Sequence, residues 1–131
     1  VPLQPTNLPS QAALDNALSG MRDRQVVSQT TSGAHAAVWC DMDGNIVTLR
    51  EDVGRHNALD KLIGWHSSEP ADGFVLVSSR ASYEMVAKAA TAGIGVLAAV
   101  SAPTSMAIET AKAANLKLIA FASNGRHALY S

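Results

Sequence analysis

From residue 34 onward, short apolar runs alternate with helical segments, and that alternation constrains the fold more than any other feature of the chain. Residues 74–77 (FVLV) and 95–100 (GVLAAV) carry no polar alternation, so both sides of these strands must be covered. Between them, Ser82 is placed to cap a helix that runs to about residue 92, with Glu84 near its start and Gly93 as its stop. Pro103 or Thr104 opens the next helix, which ends at Asn115. Residues 117–122 and 127–130 read as the final strands. Upstream, residues 34–40 and 45–49 flank Asp41-Met42-Asp43-Gly44, whose Asp-Gly pair signals a hairpin. A helix with Leu59, Leu62 and Ile63 spans residues 57–65. Ser10 caps a short amphipathic helix over about 11–24, with Leu14, Leu18 and Met21 on one side. The order is α, β-β, α, β, α, β, α, β, β. It predicts an α/β domain with right-handed crossovers, helices over a mixed, mostly parallel central sheet, and an antiparallel hairpin.

A length of 131 residues suits one domain. Pro2, Pro5 and Pro9 make residues 1–9 a Pro-rich lead-in, and 10–131 the single α/β domain. Ten Lys and Arg against 11 Asp and Glu leave a net charge of −1. That balance excludes a chain that grips long nucleic acid by bulk charge, but allows a local anion pocket. One cysteine excludes an internal disulfide and a Cys-x-x-Cys site within these residues. The apolar stretch 94–100 is too short to cross a bilayer, so the expected state is soluble and cytoplasmic, with no membrane and no nucleic-acid partner.

Three polar clusters fall where strands hand over to helices: residues 50–57, 78–82 and 101–105. Parallel α/β sheets bind ligands beyond such strand ends. Free N–H groups and the helix dipole favour an anion there, and Arg55 and Arg80 add planar grips for phosphate. The plainer alternative makes Ser82, Thr104 and Asn57 ordinary helix caps. His56 suits an acid-base or anion contact and equally a packing role, while Asp52 suits orienting a His or Arg, or a solvated turn. Asn124-Gly125-Arg126 reads first as a hairpin turn, and second as a phosphate or guanine contact. P-loop, dinucleotide, nucleophile-elbow and zinc-deaminase motifs are absent. His35 and Cys40 point to opposite sides of one strand, and Cys40 reads as a small buried hydrophobe.

Four strings resemble the formate dehydrogenase accessory sulfurtransferase (FdhD) family: residues 32–37 (SGAHAA), 51–61 (EDVGRHNALDK), 78–85 (SSRASYEM) and 100–104 (VSAPT). The resemblance runs from about residue 31 to 130. It implies a three-layer, cytidine-deaminase-like domain without the deaminase zinc site. It implies a carrier that passes persulfide sulfur from a cysteine desulfurase to the molybdenum cofactor, bis-molybdopterin guanine dinucleotide, before that cofactor enters formate dehydrogenase. In the family the sulfur rides on a Cys-x-x-Cys loop, which this sequence lacks. The chain is therefore expected to be the carboxyl-terminal, cofactor-binding domain of a longer protein, with no sulfurtransferase activity alone. The family's cofactor-binding stretch falls on Phe121, Ala122, Ser123, Asn124, Gly125 and Arg126. Many members carry a basic residue where Ser123-Asn124 stands, which gives Arg126 more of the charge.

The resulting expectation is that Arg55, Arg80, Arg126, Ser82 and Thr104 hold the phosphates and guanine end, with GDP as a partial mimic. His35 and the segment from Asp52 to His56 would face the cysteine loop, where nearby cations favour a thiolate. A rival reading is a docking module for the desulfurase or formate dehydrogenase, with Ala87, Ala90, Ala111 and Ala114 suiting close packing or a homodimer. A third, a hydrolase using His35, Asp52 and His56 around a metal, has no ligand spacing behind it.

Overall fold

A computed structural model describes residues 8–28, 35–52, 54–68, 72–121 and 127–130. The elements are α1 (Gln11–Ser28), β1 (His35–Cys40), β2 (Ile46–Asp52), α2 (Arg55–Ser68), β3 (Phe74–Arg80), α3 (Tyr83–Thr91), β4 (Val96–Ser101), α4 (Ser105–Ala114), β5 (Lys117–Phe121) and β6 (His127–Leu129). Their order is the one the alternation predicts. The larger differences are in bounds: α1 reaches Ser28 rather than residue 24, β2 reaches Asp52 rather than 49, α2 spans Arg55–Ser68 rather than 57–65, and β3 reaches Arg80 rather than 77. Among the described residues, strand β2 pairs only with β1, so it stands at the sheet edge, where polar residues are suited. Ala37, Ala36 and His35 of β1 pair with Arg50, Glu51 and Asp52, which carries the strand through three polar positions.

The six strands form one sheet in the order β2-β1-β3-β4-β5-β6. Pairs β3–β4 and β4–β5 are parallel, whereas β1–β2, β1–β3 and β5–β6 are antiparallel. The expectation of a mostly parallel sheet is thus corrected. Short connections can join only antiparallel neighbours, which fixes both outer hairpins, and β1 inserts between β2 and β3 against the direction of both. At the first hairpin, Gly44 adopts φ 84° and lies so close to α1 that a Cβ would collide with the Ala13 carbonyl oxygen.

Successive residues of β3 serve opposite cores. Val75 and Val77 face Leu59, Leu62, Met85, Val86 and Leu118, beneath α2, α3 and α4. Phe74 and Leu76 face Leu14, Leu18 and Met21 of α1, together with Val38 and Ile119. This double burial is why residues 74–77 are apolar without alternation, and it makes three layers: α1, the sheet, then α2 to α4. Each fully buried Val or Leu stabilises the fold by about 1.5–3 kcal/mol relative to exposure. Among the described residues, no helix is long and apolar enough to cross a membrane.

Candidate functional site

Strands β2, β3, β4 and β5 run in one direction, so their carboxyl ends share a rim with the amino end of β1. All three polar clusters of the sequence lie on that rim. Between Val77 and Arg80 the β3–β4 register shifts, because Val77 pairs with Ala99 but Arg80 with Ser101. The extra residue is a bulge, which bends the strand end and re-aims its side chains. Ser78 Oγ accepts from Ala36 N–H at 2.9 Å, tying the bulge to β1.

The starts of α3 and α4 are joined directly. Thr104 N–H donates to the Ala81 carbonyl at 3.3 Å. Arg80 Nε donates to the Ala102 carbonyl at 2.8 Å. Ser82 Oγ accepts from Met85 N–H at 3.3 Å, and Thr104 Oγ1 accepts from Ala107 N–H at 3.1 Å. Both side chains are therefore N-caps, as the plainer alternative had it. A cap satisfies one of the four N–H groups that open a helix, so capping and a polar, anion-favouring edge coexist. Arg80 is exposed, and its guanidinium is anchored to the loop before α4.

At the other end of the rim, Asp52 accepts from Gly54 N–H at 3.0 Å and from Asn57 Nδ2 at 3.5 Å. Its Oδ2 lies 2.9 Å from Lys61 Nζ, which also donates to the Glu51 carbonyl at 3.1 Å. The Gly54 N–H, followed by the Lys61 ammonium, holds the Asp52 carboxyl down to about 2. Asp52 is thus a turn residue, partly exposed, whose carboxylate organises the turn into α2. Asn57 is not the cap of α2, because the helix has already begun at Arg55.

His35 and His56 are both partly buried, the first opposite Asp52 in the β1–β2 register and the second in the first turn of α2. The rim thus gathers His35, Asp52, His56, Arg80, Ser82 and Thr104. Ala122, Ser123, Asn124, Gly125 and Arg126 lie outside the described residues, as do the side chains of Arg55 and Phe121. The backbone of Phe121 closes β5 on the same rim. Sequence reasoning placed Ser78 in the second polar cluster without a role, and missed Lys61. The Asp-x-x-x-x-x-x-x-x-Lys spacing gives no local signal, because the lysine reaches back from the second turn of α2. The Ser78-Ser79 pair marks where apolar patterning of the strand stops, but not the bulge.

Other features lie away from the rim. Cys40 is fully buried at the opposite end of β1, on the α1 side of the sheet. A groove of about 390 Å³ runs between α2 and α3, lined by Asp60, Ile63, Ala87 and Lys88 among others, with Lys88 Nζ 3.0 Å from Asp60 Oδ2. Ala111 is buried, and Ala90 and Ala114 pack against the same core, so these small residues serve the helix–sheet interface; Ala87 lines the groove. Among the described residues, no three His, Cys, Asp or Glu side chains gather in a metal-holding group.

Comparison with known proteins bears out the family resemblance. The FdhD/NarQ family matches residues 2–131. The chain is 51% identical over 122 residues to the sulfur carrier protein FdhD of Bordetella petrii, covering 91% of this chain and 44% of that protein. It is 50% identical over 121 residues to the sulfur carrier protein FdhD of Acinetobacter baylyi, covering 90% and 44%. It therefore spans less than half the length of these curated relatives. Its fold is similar, with a TM-score of 0.87 and 26% identity, to a crystal structure of a candidate formate dehydrogenase accessory protein from Desulfotalea psychrophila, covering all of this chain and 57% of that one. With a match over nearly every residue, half of them identical in the relatives above, the chain belongs to the FdhD/NarQ family.

Proposed function

We propose that this domain is the substrate-holding part of a sulfur carrier for formate dehydrogenase maturation. Its substrate is the molybdenum cofactor, bis-molybdopterin guanine dinucleotide, whose metal centre receives the sulfur. A cysteine desulfurase supplies that sulfur as a persulfide. We read the fold as the cytidine-deaminase-like architecture, on its strand order. Cys40 is fully buried and far along β1 from the rim, so the carrier thiol is supplied from outside these 131 residues.

The observation that carries this reading is the joining of two helix starts on one rim, through Thr104 N–H to the Ala81 carbonyl. Aligned helix N-termini favour phosphate, and the donor chemistry there fits a phosphate-bearing ligand. Arg80, fixed by Ala102, adds a charged planar donor to that edge. Arg55 and the segment from Phe121 to Arg126 complete the proposed guanine and phosphate contacts. His35 and His56 lie on the part of the rim nearest β2, where the incoming persulfide loop would approach.

Titration calorimetry with GDP tests the reading. The unsubstituted protein should bind GDP, and Arg126→Ala should weaken binding about tenfold, the effect of one lost charge-assisted contact. Undiminished binding would remove Arg126 from the site. No binding by the unsubstituted protein would contradict the reading itself.

A further inference from the structure

Lys61 presents a puzzle that stability does not resolve. It lies in the second turn of α2 yet reaches back to the start of that helix, where the macrodipole disfavours a cation. Its side chain is 52% exposed, and exposed ion pairs stabilise a fold little. The turn it touches is already held, because Asp52 accepts from Gly54 N–H and Asn57 Nδ2 without it. What Lys61 does change is charge. Asp52 ends β2 on the rim that carries the starts of α3 and α4, two strands from β3. At a spacing of about 4.8 Å per strand, its carboxylate acts from about 10 Å on whatever the end of β3 holds. That is about one Debye length at 0.1 M salt, so the charge is felt.

We infer that Lys61 is a specificity-determining residue of the rim: paired with Asp52, its ammonium cancels a carboxylate that would otherwise repel a phosphate-bearing ligand. The inference rests on the proposed reading of the rim as the ligand-holding edge, and identifies which residue keeps that edge open to anions.

The test compares GDP affinity by calorimetry in the unsubstituted protein and three variants at low salt. Lys61→Met should weaken GDP about threefold, the effect of one uncancelled charge at that range in high dielectric. Lys61→Arg should bind as the unsubstituted protein does. Asp52→Asn combined with Lys61→Met removes both charges and should restore most of the affinity, a recovery that a purely structural role for Lys61 would not give. The Lys61→Met deficit should also fade at about 0.5 M salt. Full affinity in Lys61→Met, or a double variant as weak as Lys61→Met, overturns the inference while GDP binding by the unsubstituted protein leaves the rim reading standing. Absence of GDP binding in the unsubstituted protein overturns both.

Discussion

Asp52 accepts three hydrogen bonds while remaining partly exposed, and its carboxyl is held near 2 against the usual 3.8 chiefly by the Gly54 N–H and the Lys61 ammonium. An acid depressed in the folded state stabilises the fold above its unfolded value, and that contribution disappears as pH falls from about 4 toward 2. Asp52→Asn should therefore flatten the fall in thermal midpoint over that range; an unchanged acid limb would show that Asp52 does not couple folding to protons. His66 has the opposite origin and the same direction. Burial beside Trp39, with ring centroids 4.6 Å apart, pushes its pKa below the usual 6.5. The unfolded chain then takes up a proton first, so the His66 contribution is complete above about pH 6.5 and shrinks below it. His66→Gln should reduce the stability lost between pH 7.5 and 5.5 in urea titrations. Neither shift was legible in the sequence, because each depends on a partner brought in by the fold: Lys61 across a turn, Trp39 from the strand beneath α2.

At the scale of elements, capping was legible and strand length was not. Ser82, Thr104 and Asn115 are the N-cap of α3, the N-cap of α4 and the left-handed C-cap of α4, as residue type alone suggested. Replacing Ser82 or Thr104 with Ala should each lower stability by about 1 kcal/mol, measured by urea unfolding. Loss of ligand binding alone, with stability unchanged, would mean that the hydroxyls serve the ligand rather than the helix. Gly44 is a sharper case, since its φ of 84° and its contact with Ala13 both exclude a side chain. Gly44→Ala should cost about 2–4 kcal/mol, and a loss below about 1 kcal/mol would contradict the packing of the hairpin on α1. The polar end of β2 read as a loop because Arg50, Glu51 and Asp52 lack strand-like apolarity. Its pairing comes from β1, a partner that local pattern cannot reveal. The bulge in β3 escaped for the same reason, since register is a property of two strands.

Over the whole molecule, strand direction joins fold to site. Residues 50–57, 78–82 and 101–105 were legible as strand-to-helix junctions, and β2, β3 and β4 running together places all of them on one rim. The balance of parallel and antiparallel pairs was not legible, because it depends on where β1 inserts. The sheet that ends in the rim is covered on both faces. Leu76 is fully buried under α1, and Leu76→Ala should lower stability by about 2–5 kcal/mol. A family string such as EDVGRHNALDK made the relationship legible, but gave no sign that its first Asp and last Lys meet across a turn. Local pattern likewise read residues 124–126 first as a turn and second as an anion contact, and the resemblance extended the binding segment to residues 121–126.

The proposed function requires this domain to recognise the guanine end of a phosphate-bearing substrate. Its most direct test is thermal stability of the 131-residue chain with GDP, CDP or inorganic phosphate at matched salt. A ligand that binds only the folded state adds about 2.7 kcal/mol at about 100 times its dissociation constant. The expected result is a dose-dependent rise with GDP that neither CDP nor phosphate reproduces. An equal rise with all three, or no rise up to millimolar GDP, would contradict guanine recognition by this domain.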